Sequence, residues 1–253
     1  MDRLAELVGL STAMGLAIYL SLPIVLRKAT GSRSVTFLNA AAIGILVFLV
    51  ADVFSDAATL LYTNPADPYV ANPLHTVYFV VAAGGAFLVL YLAEHSTREA
   101  LSPSRMALVI ASAIGFQNLT EGLVFGAFWA VGSVGLSTVV FVGFFLQNVT
   151  EGFPITSPFL ARRDFRVATV AAIFLVGGLP TVVGGVGGYF YNSATVDLVF
   201  DALAIGSILY ALLPMLRIAM RPAVPPETTY VRQRLLYAGV AVGFLVGFLV
   251  NAI

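Results

Sequence analysis

Cysteine is absent from this chain, and with it any disulfide framework or thiolate metal site. Charge is scarce too: Asp, Glu, Lys and Arg make up 10% of the 253 residues, against about a quarter in soluble globular domains. The thirteen basic and thirteen acidic residues cancel, which argues against a nucleic-acid partner, and no Lys/Arg-rich run offers a polybasic lipid anchor. Histidine occurs twice, as His75 and His95, both at joins or helix ends, where such a residue is more often a surface group than a ligand. No polar stretch is long enough for a soluble domain. No ATP-binding motif is present either, which excludes a primary pump.

Hydrocarbon dominates instead. Hydrophobic residues are 59% of the chain and fall in runs long enough to cross a membrane core of about 30 Å. Eight spans are expected, at about 6–26, 35–61, 74–94, 106–130, 134–160, 167–191, 195–216 and 233–253. The fold class is thus an all-α polytopic membrane protein, a single domain of eight transmembrane helices. The first span is expected to be retained, since no small-residue cleavage site follows it.

The basic residues set an orientation. Arg27, Lys28 and Arg33 fall in the first join, Arg98 and Arg105 in the third, Arg162, Arg163 and Arg166 in the fifth, and Arg217, Arg221, Arg232 and Arg234 in the seventh. The even joins carry Asp67 and Asp197 and no Lys or Arg. The positive-inside rule therefore places the odd joins in the cytoplasm and both termini outside a cell membrane.

Few acids remain at membrane depth: Asp52, Asp56, Glu121, Glu151 and Asp201. Asp56 and Asp201 lie near a span end, where a solvated or snorkelling carboxylate is the ordinary explanation. Asp52 is deeper. Glu121 and Glu151 belong to near-identical hexapeptides thirty residues apart, Gln117-Asn118-Leu119-Thr120-Glu121-Gly122 and Gln147-Asn148-Val149-Thr150-Glu151-Gly152. A charge at the centre of a membrane helix costs a few kcal/mol on insertion scales, so a buried Glu needs a partner, a proton or a function. Two copies of one costly arrangement make accident a poor explanation.

On antiparallel neighbouring helices the two carboxylates fall within roughly 8 Å of one level. Gln117 and Glu121, and likewise Gln147 and Glu151, share a helix face at i and i+4, with Asn118 and Asn148 beside it. Amide oxygens and carboxylates then converge. Two carboxylates in a low-dielectric site repel, so one is protonated or a cation lies between them. A divalent ion satisfies both, and oxygen ligands suit hard or borderline metals. The plainer alternative is that the amides join helices by hydrogen bonds, each Glu protonated and paired to an amide.

Asn118 and Asn148 also begin N-glycosylation sequons, a use that burial in the membrane rules out. Thr120 and Thr150 are expected to bond back to carbonyls one turn earlier. The Gly after each Glu would let a neighbouring backbone approach. The stretch from Gly177 to Gly188 reads as close helix packing, with Gly184 and Gly188 in small-xxx-small spacing.

Tandem Asn-x-x-Glu-Gly motifs on the fourth and fifth of eight spans resemble those of the ZIP (Zrt/Irt-like) divalent metal transporters. The usual forms in that family are close to His-Asn-x-Pro-Glu-Gly and His/Gln-Asn/Asp-x-Pro-Glu-Gly. The second span, with Ala41-Ala42-Ile43-Gly44-Ile45-Leu46, also looks like the family's small-residue-rich second helix. The resemblance implies that Gln117, Asn118, Glu121, Gln147, Asn148 and Glu151 are the metal ligands of a mid-membrane transport site. It also implies uptake of zinc or another divalent ion (Mn, Fe(II), Cd) by alternating access, and a homodimer. The metal would be cargo, and no organic cofactor or enzymatic activity is implied.

This chain departs from the family pattern at definite places. Gln117 replaces the fourth-span His, Thr120 and Thr150 replace the motif prolines, Thr181 stands where many members carry a sixth-span Glu, and the His-rich third join is missing. Loss of the imidazole favours ions that accept all-oxygen ligation over zinc. Asp52 and Asp201, with Thr181, are candidates for supporting or entrance roles. Two other function classes stay open: a transport-deficient metal sensor or receptor, and a proton-coupled carrier of a small solute.

Overall fold

The computed structural model describes residues 3–23, 32–63, 67, 69–95, 102–132, 134–160, 165–191, 193–220 and 227–252. Of the basic residues that set the orientation, Arg27, Lys28, Arg98, Arg162, Arg163 and Arg221 lie outside the described residues. Among the described residues eight long helices follow one another: α1 (Arg3–Leu16, continued by a 3-10 turn Ala17–Ser21), α2 (Ser32–Leu61), α3 (Pro73–His95), α4 (Pro103–Ala130), α5 (Val134–Thr156, then a 3-10 turn Ser157–Phe159), α6 (Val167–Phe190), α7 (Ala194–Ala219) and α8 (Glu227–Asn251). All eight are long and apolar enough to cross a membrane, as the composition requires.

Helix ends follow local chemistry and not only the apolar runs. The sequence places the fourth span from 106, but α4 starts at Pro103, because the Ser102 hydroxyl accepts from the Arg105 N–H and proline fits the first turn. Pro154 lies inside α5 and cannot donate to the carbonyl one turn back; three residues further on the helix tightens to 3-10 geometry. Val131 and Gly132 turn the chain from α4 toward α5, with Gly132 at φ 75°, a left-handed conformation that only glycine adopts without strain.

Backbone contact through glycine joins the helices in pairs. A Cβ on Gly115, Gly122 or Gly126 of α4 would strike the carbonyls of Val176, Thr181 or Gly185 on α6, and one on Gly184 or Gly188 would strike Leu119 or Leu123 of α4. Gly15 of α1 and Gly178 of α6 face each other in the same way. Gly44 of α2 meets α8 at Val240, while Gly239 and Gly243 of α8 meet α2 at Phe37 and Ala41. Small residues that let backbones touch are how helices gain packing energy where lipid removes the hydrophobic drive.

Helix α3 buries none of its residues. It is held by α7, where Gly206 rests on the Ala83 carbonyl, the Phe87 and Tyr210 rings meet edge to face at 5.7 Å, and the Tyr210 hydroxyl bonds the Glu94 carboxylate.

The apolar core is split along the bundle. One cluster takes Ala42 and Leu46 of α2, Ile110 and Ile114 of α4, Ile155 of α5, Phe174 of α6 and Ile208 of α7. Two smaller ones take Val53, Ala57, Leu198 and Ile205, and Leu7, Met14 and Phe125. Along α4 the buried polar residues Gln117, Asn118, Thr120 and Glu121 fall between these clusters, at a middle level of the helix.

Candidate functional site

That middle level is where the two hexapeptides meet. Gln117, Asn118, Glu121, Gln147, Asn148 and Glu151 are all buried, with Asn118, Asn148 and Glu151 at 0% exposure. Asn118 Nδ2 donates to Asn148 Oδ1 at 2.9 Å and to the Gly177 carbonyl of α6 at 3.0 Å. Asn148 Nδ2 donates within its own helix to the Phe144 carbonyl at 2.9 Å. One amide thus ties α4, α5 and α6 together at the site.

The carboxylates are less well satisfied. Gln117 Nε2 donates to Glu121 Oε1 at 3.2 Å, the i to i+4 contact that the spacing predicts. Glu121 Oε2 has no partner, nor has either oxygen of Glu151, although the Asn118 and Gln147 side chains lie beside that carboxylate. Gln117 Oε1 and Asn118 Oδ1 are unpartnered as well. Five buried acceptor oxygens therefore lack a donor, against one unpaired donor in the same motifs, Gln147 Nε2. Buried acceptors without partners are costly, and such an excess is what a cation, or protons, would neutralise.

Glu121 and Glu151 stand within electrostatic reach of each other, and Asp52 of α2 is within reach of both. Gln147 lies beside Asp52. Asp201 of α7 interacts with Asp56, Asp197 and Asp52 and has Thr120 next to it. Acidic side chains thus continue from the hexapeptides along α2 and α7 toward the end of the bundle that bears Asp197. In the opposite direction the larger apolar cluster begins.

Asp201 is not the solvated helix end that its position in the sequence suggests: it is 3% exposed, because its face of α7 turns into the bundle. Asp56 is exposed, in keeping with the ordinary reading. Among the described residues no three His, Asp or Glu side chains are grouped closely enough to hold one metal ion, so a ligand set here would combine two carboxylates with amides.

The motif threonines and glycines pack as their positions in the sequence suggest. Thr120 and Thr150 bond back to the carbonyls of Phe116 and Gln147, at 3.3 and 2.7 Å. Gly122 abuts the Thr181 carbonyl, and Gly152 abuts Ser21 and the Ile18 carbonyl, so each motif glycine admits a neighbouring chain. Thr181 is fully buried with its hydroxyl unpartnered. Both histidines are engaged locally: His75 Nδ1 donates to the Leu60 carbonyl at 2.9 Å, and His95 Nδ1 to the Tyr91 carbonyl at 2.8 Å.

One polar residue at the site has no forewarning in the motifs. Asn251, in the last turn of α8, donates through Nδ2 to Asp52 Oδ1 at 2.6 Å. Its signal in the sequence is isolation: from Ala238 to Val250 α8 carries no other polar side chain. No protein-family model matches the chain, and no curated protein matches it.

Proposed function

We propose that this chain is a membrane permease for divalent metal cations, with Gln117, Asn118, Glu121, Gln147, Asn148 and Glu151 supplying the oxygen ligands of a mid-membrane site. The observation that carries this reading is the excess of unpartnered buried acceptors on two adjacent helices. A dehydrating cation would exchange water oxygens for carboxylate and amide oxygens there. The likeness of both hexapeptides to the paired motifs of the ZIP transporters points the same way.

Binding at one level of the membrane becomes transport when the site opens to each side in turn, by movement of one group of helices against another. Asp52, Asp56, Asp197 and Asp201 offer the approach from one side. The positive-inside rule makes that the outer side, with both termini outside a cell membrane, and net movement is inward, down the gradient of the ion. Two carboxylates and no imidazole favour the harder manganese or iron(II) over strict selectivity for zinc.

The test is uptake into liposomes reconstituted with the purified protein, with zinc, cadmium, manganese, iron(II) and cobalt in competition. Glu121→Ala and Glu151→Ala should each abolish uptake; retained uptake in both would sink the assignment. Metal binding without flux would instead identify a sensor or receptor. Flux that requires a pH gradient and ignores metals would identify a proton-coupled carrier.

A further inference from the structure

Asp52 differs from the hexapeptide acids because it comes from a third helix. The hexapeptides belong to α4 and α5, whereas α2 is packed mainly along α8 and α7 and touches α5 over a smaller contact. Through that contact Asp52 lies beside Gln147 and within electrostatic reach of Glu121 and Glu151. A carboxylate in this place is useful to a cation only if its rotamer is held, since a free side chain on α2 can turn along the helix.

Asn251 supplies that restraint. Its amide donates to Asp52 Oδ1 at 2.6 Å, from a helix that is otherwise apolar over its last half. The bond is not needed to bring the two helices together. Gly44, Gly239, Gly243 and Gly247 already place α2 and α8 in backbone or ring contact over the preceding turns. A polar side chain kept at the end of a membrane helix, bonded to an acid that faces the site, has a different use.

We infer that Asn251 is a positioning residue for cation capture: it fixes the Asp52 carboxylate so that this group receives the ion on its approach to Glu121 and Glu151. The inference rests on the reading of the site as a cation path. Asp52 is a step on the approach and not a third carboxylate on the same ion, in keeping with the lack of any three-acid group among the described residues. Without the Asn251 amide the acid keeps only Gln147 beside it and is held less firmly, so capture weakens while the passage of bound ions continues.

The experiment uses cadmium uptake by the full chain in liposomes. Asn251→Leu should raise KM roughly three- to tenfold, the worth of one hydrogen bond, with the maximal rate within about twofold of the parent. Asn251→Gln, which keeps the amide, should recover most of the KM. In an Asp52→Ala background Asn251→Leu should have no further effect. The inference is overturned if Asn251→Leu leaves KM unchanged, lowers the maximal rate alone, or acts as strongly without Asp52 as with it.

Should the parent protein carry no cadmium, the transport reading fails separately. Equilibrium cadmium binding to the detergent-purified protein then replaces flux. Weaker binding by Asn251→Leu only when Asp52 is present supports the inference, and equal binding or none overturns it.

Discussion

Asn118 and Asn148, which hold the same place in the two hexapeptides, are bonded to each other, Nδ2 to Oδ1 at 2.9 Å. The repeat is therefore an interface as well as a pattern: each copy completes the other. The same Asn118 amide reaches the Gly177 carbonyl, so its loss should be felt in three helices.

Replacing Asn118 by Leu should lower the unfolding free energy by about 1–2 kcal/mol, since interhelical polar bonds in membranes average about 0.6 kcal/mol and this side chain makes two. Asn148→Leu should cost less than the sum when combined with it, because the two share a bond. Reversible unfolding in mixed micelles of the two single variants and the double variant measures the coupling. Strict additivity would show that the bond carries no energy.

Cation binding should stabilise the folded protein, by about 2.7 kcal/mol at a hundredfold excess over the dissociation constant. Glu121→Gln and Glu151→Gln keep the shape of the site and remove one charge each. In both, thermal stabilisation by cadmium or manganese should disappear while the metal-free protein stays folded. A stabilisation equal to that of the parent in either variant would remove that Glu from the site.

Protons and cations compete for the same oxygens. Acidification should therefore weaken metal binding, and binding in a lightly buffered solution should release protons. The sign follows from the ligands: a protonated carboxyl is a poorer cation ligand, so affinity is lost as pH falls and regained as it rises. Isothermal titration in two buffers of different ionisation enthalpy counts the protons.

The motif glycines should be intolerant in a way that their exposed counterparts are not. Gly122→Ala drives a methyl into the Thr181 carbonyl, a backbone atom that cannot turn aside, and should cost about 1–3 kcal/mol as overpacking. Gly135→Ala, with nothing within 4 Å of the added carbon, should be near neutral. Thermal melting of the two variants in one detergent makes the comparison.

Much of this was readable from residue order. The eight spans follow from unbroken apolar length, and the convergence of the hexapeptides from the cost of placing Glu where lipid surrounds the chain. Asp201 was not, because its closeness to a helix end in sequence says nothing about the direction in which α7 faces; burial at that position depends on rotation of the helix. Glu94 likewise stood at a span end, and only the approach of α3 to α7 brings it to Tyr210. Asn251 is a lone amide on an apolar half-helix, and residue order does not name its partner until α8 is laid along α2. The start of α4 was legible in principle, since Ser102 and Pro103 spell a helix N-terminus, but hydrophobicity alone points past them.

The turn at Val131 and Gly132 gives the thirty-residue spacing a geometric meaning. In an antiparallel hairpin, residues equally far from the bend stand opposite each other, and position 133 is midway between Asn118 and Asn148 in the sequence. The length of chain on either side is thus a ruler that sets which rungs of the two helices face one another. One residue inserted at the bend would slide α5 by about 1.5 Å and rotate it by about 100°, carrying Asn148 out of line with its counterpart. The bend is held to its size by the pair of amides fifteen residues away on each side.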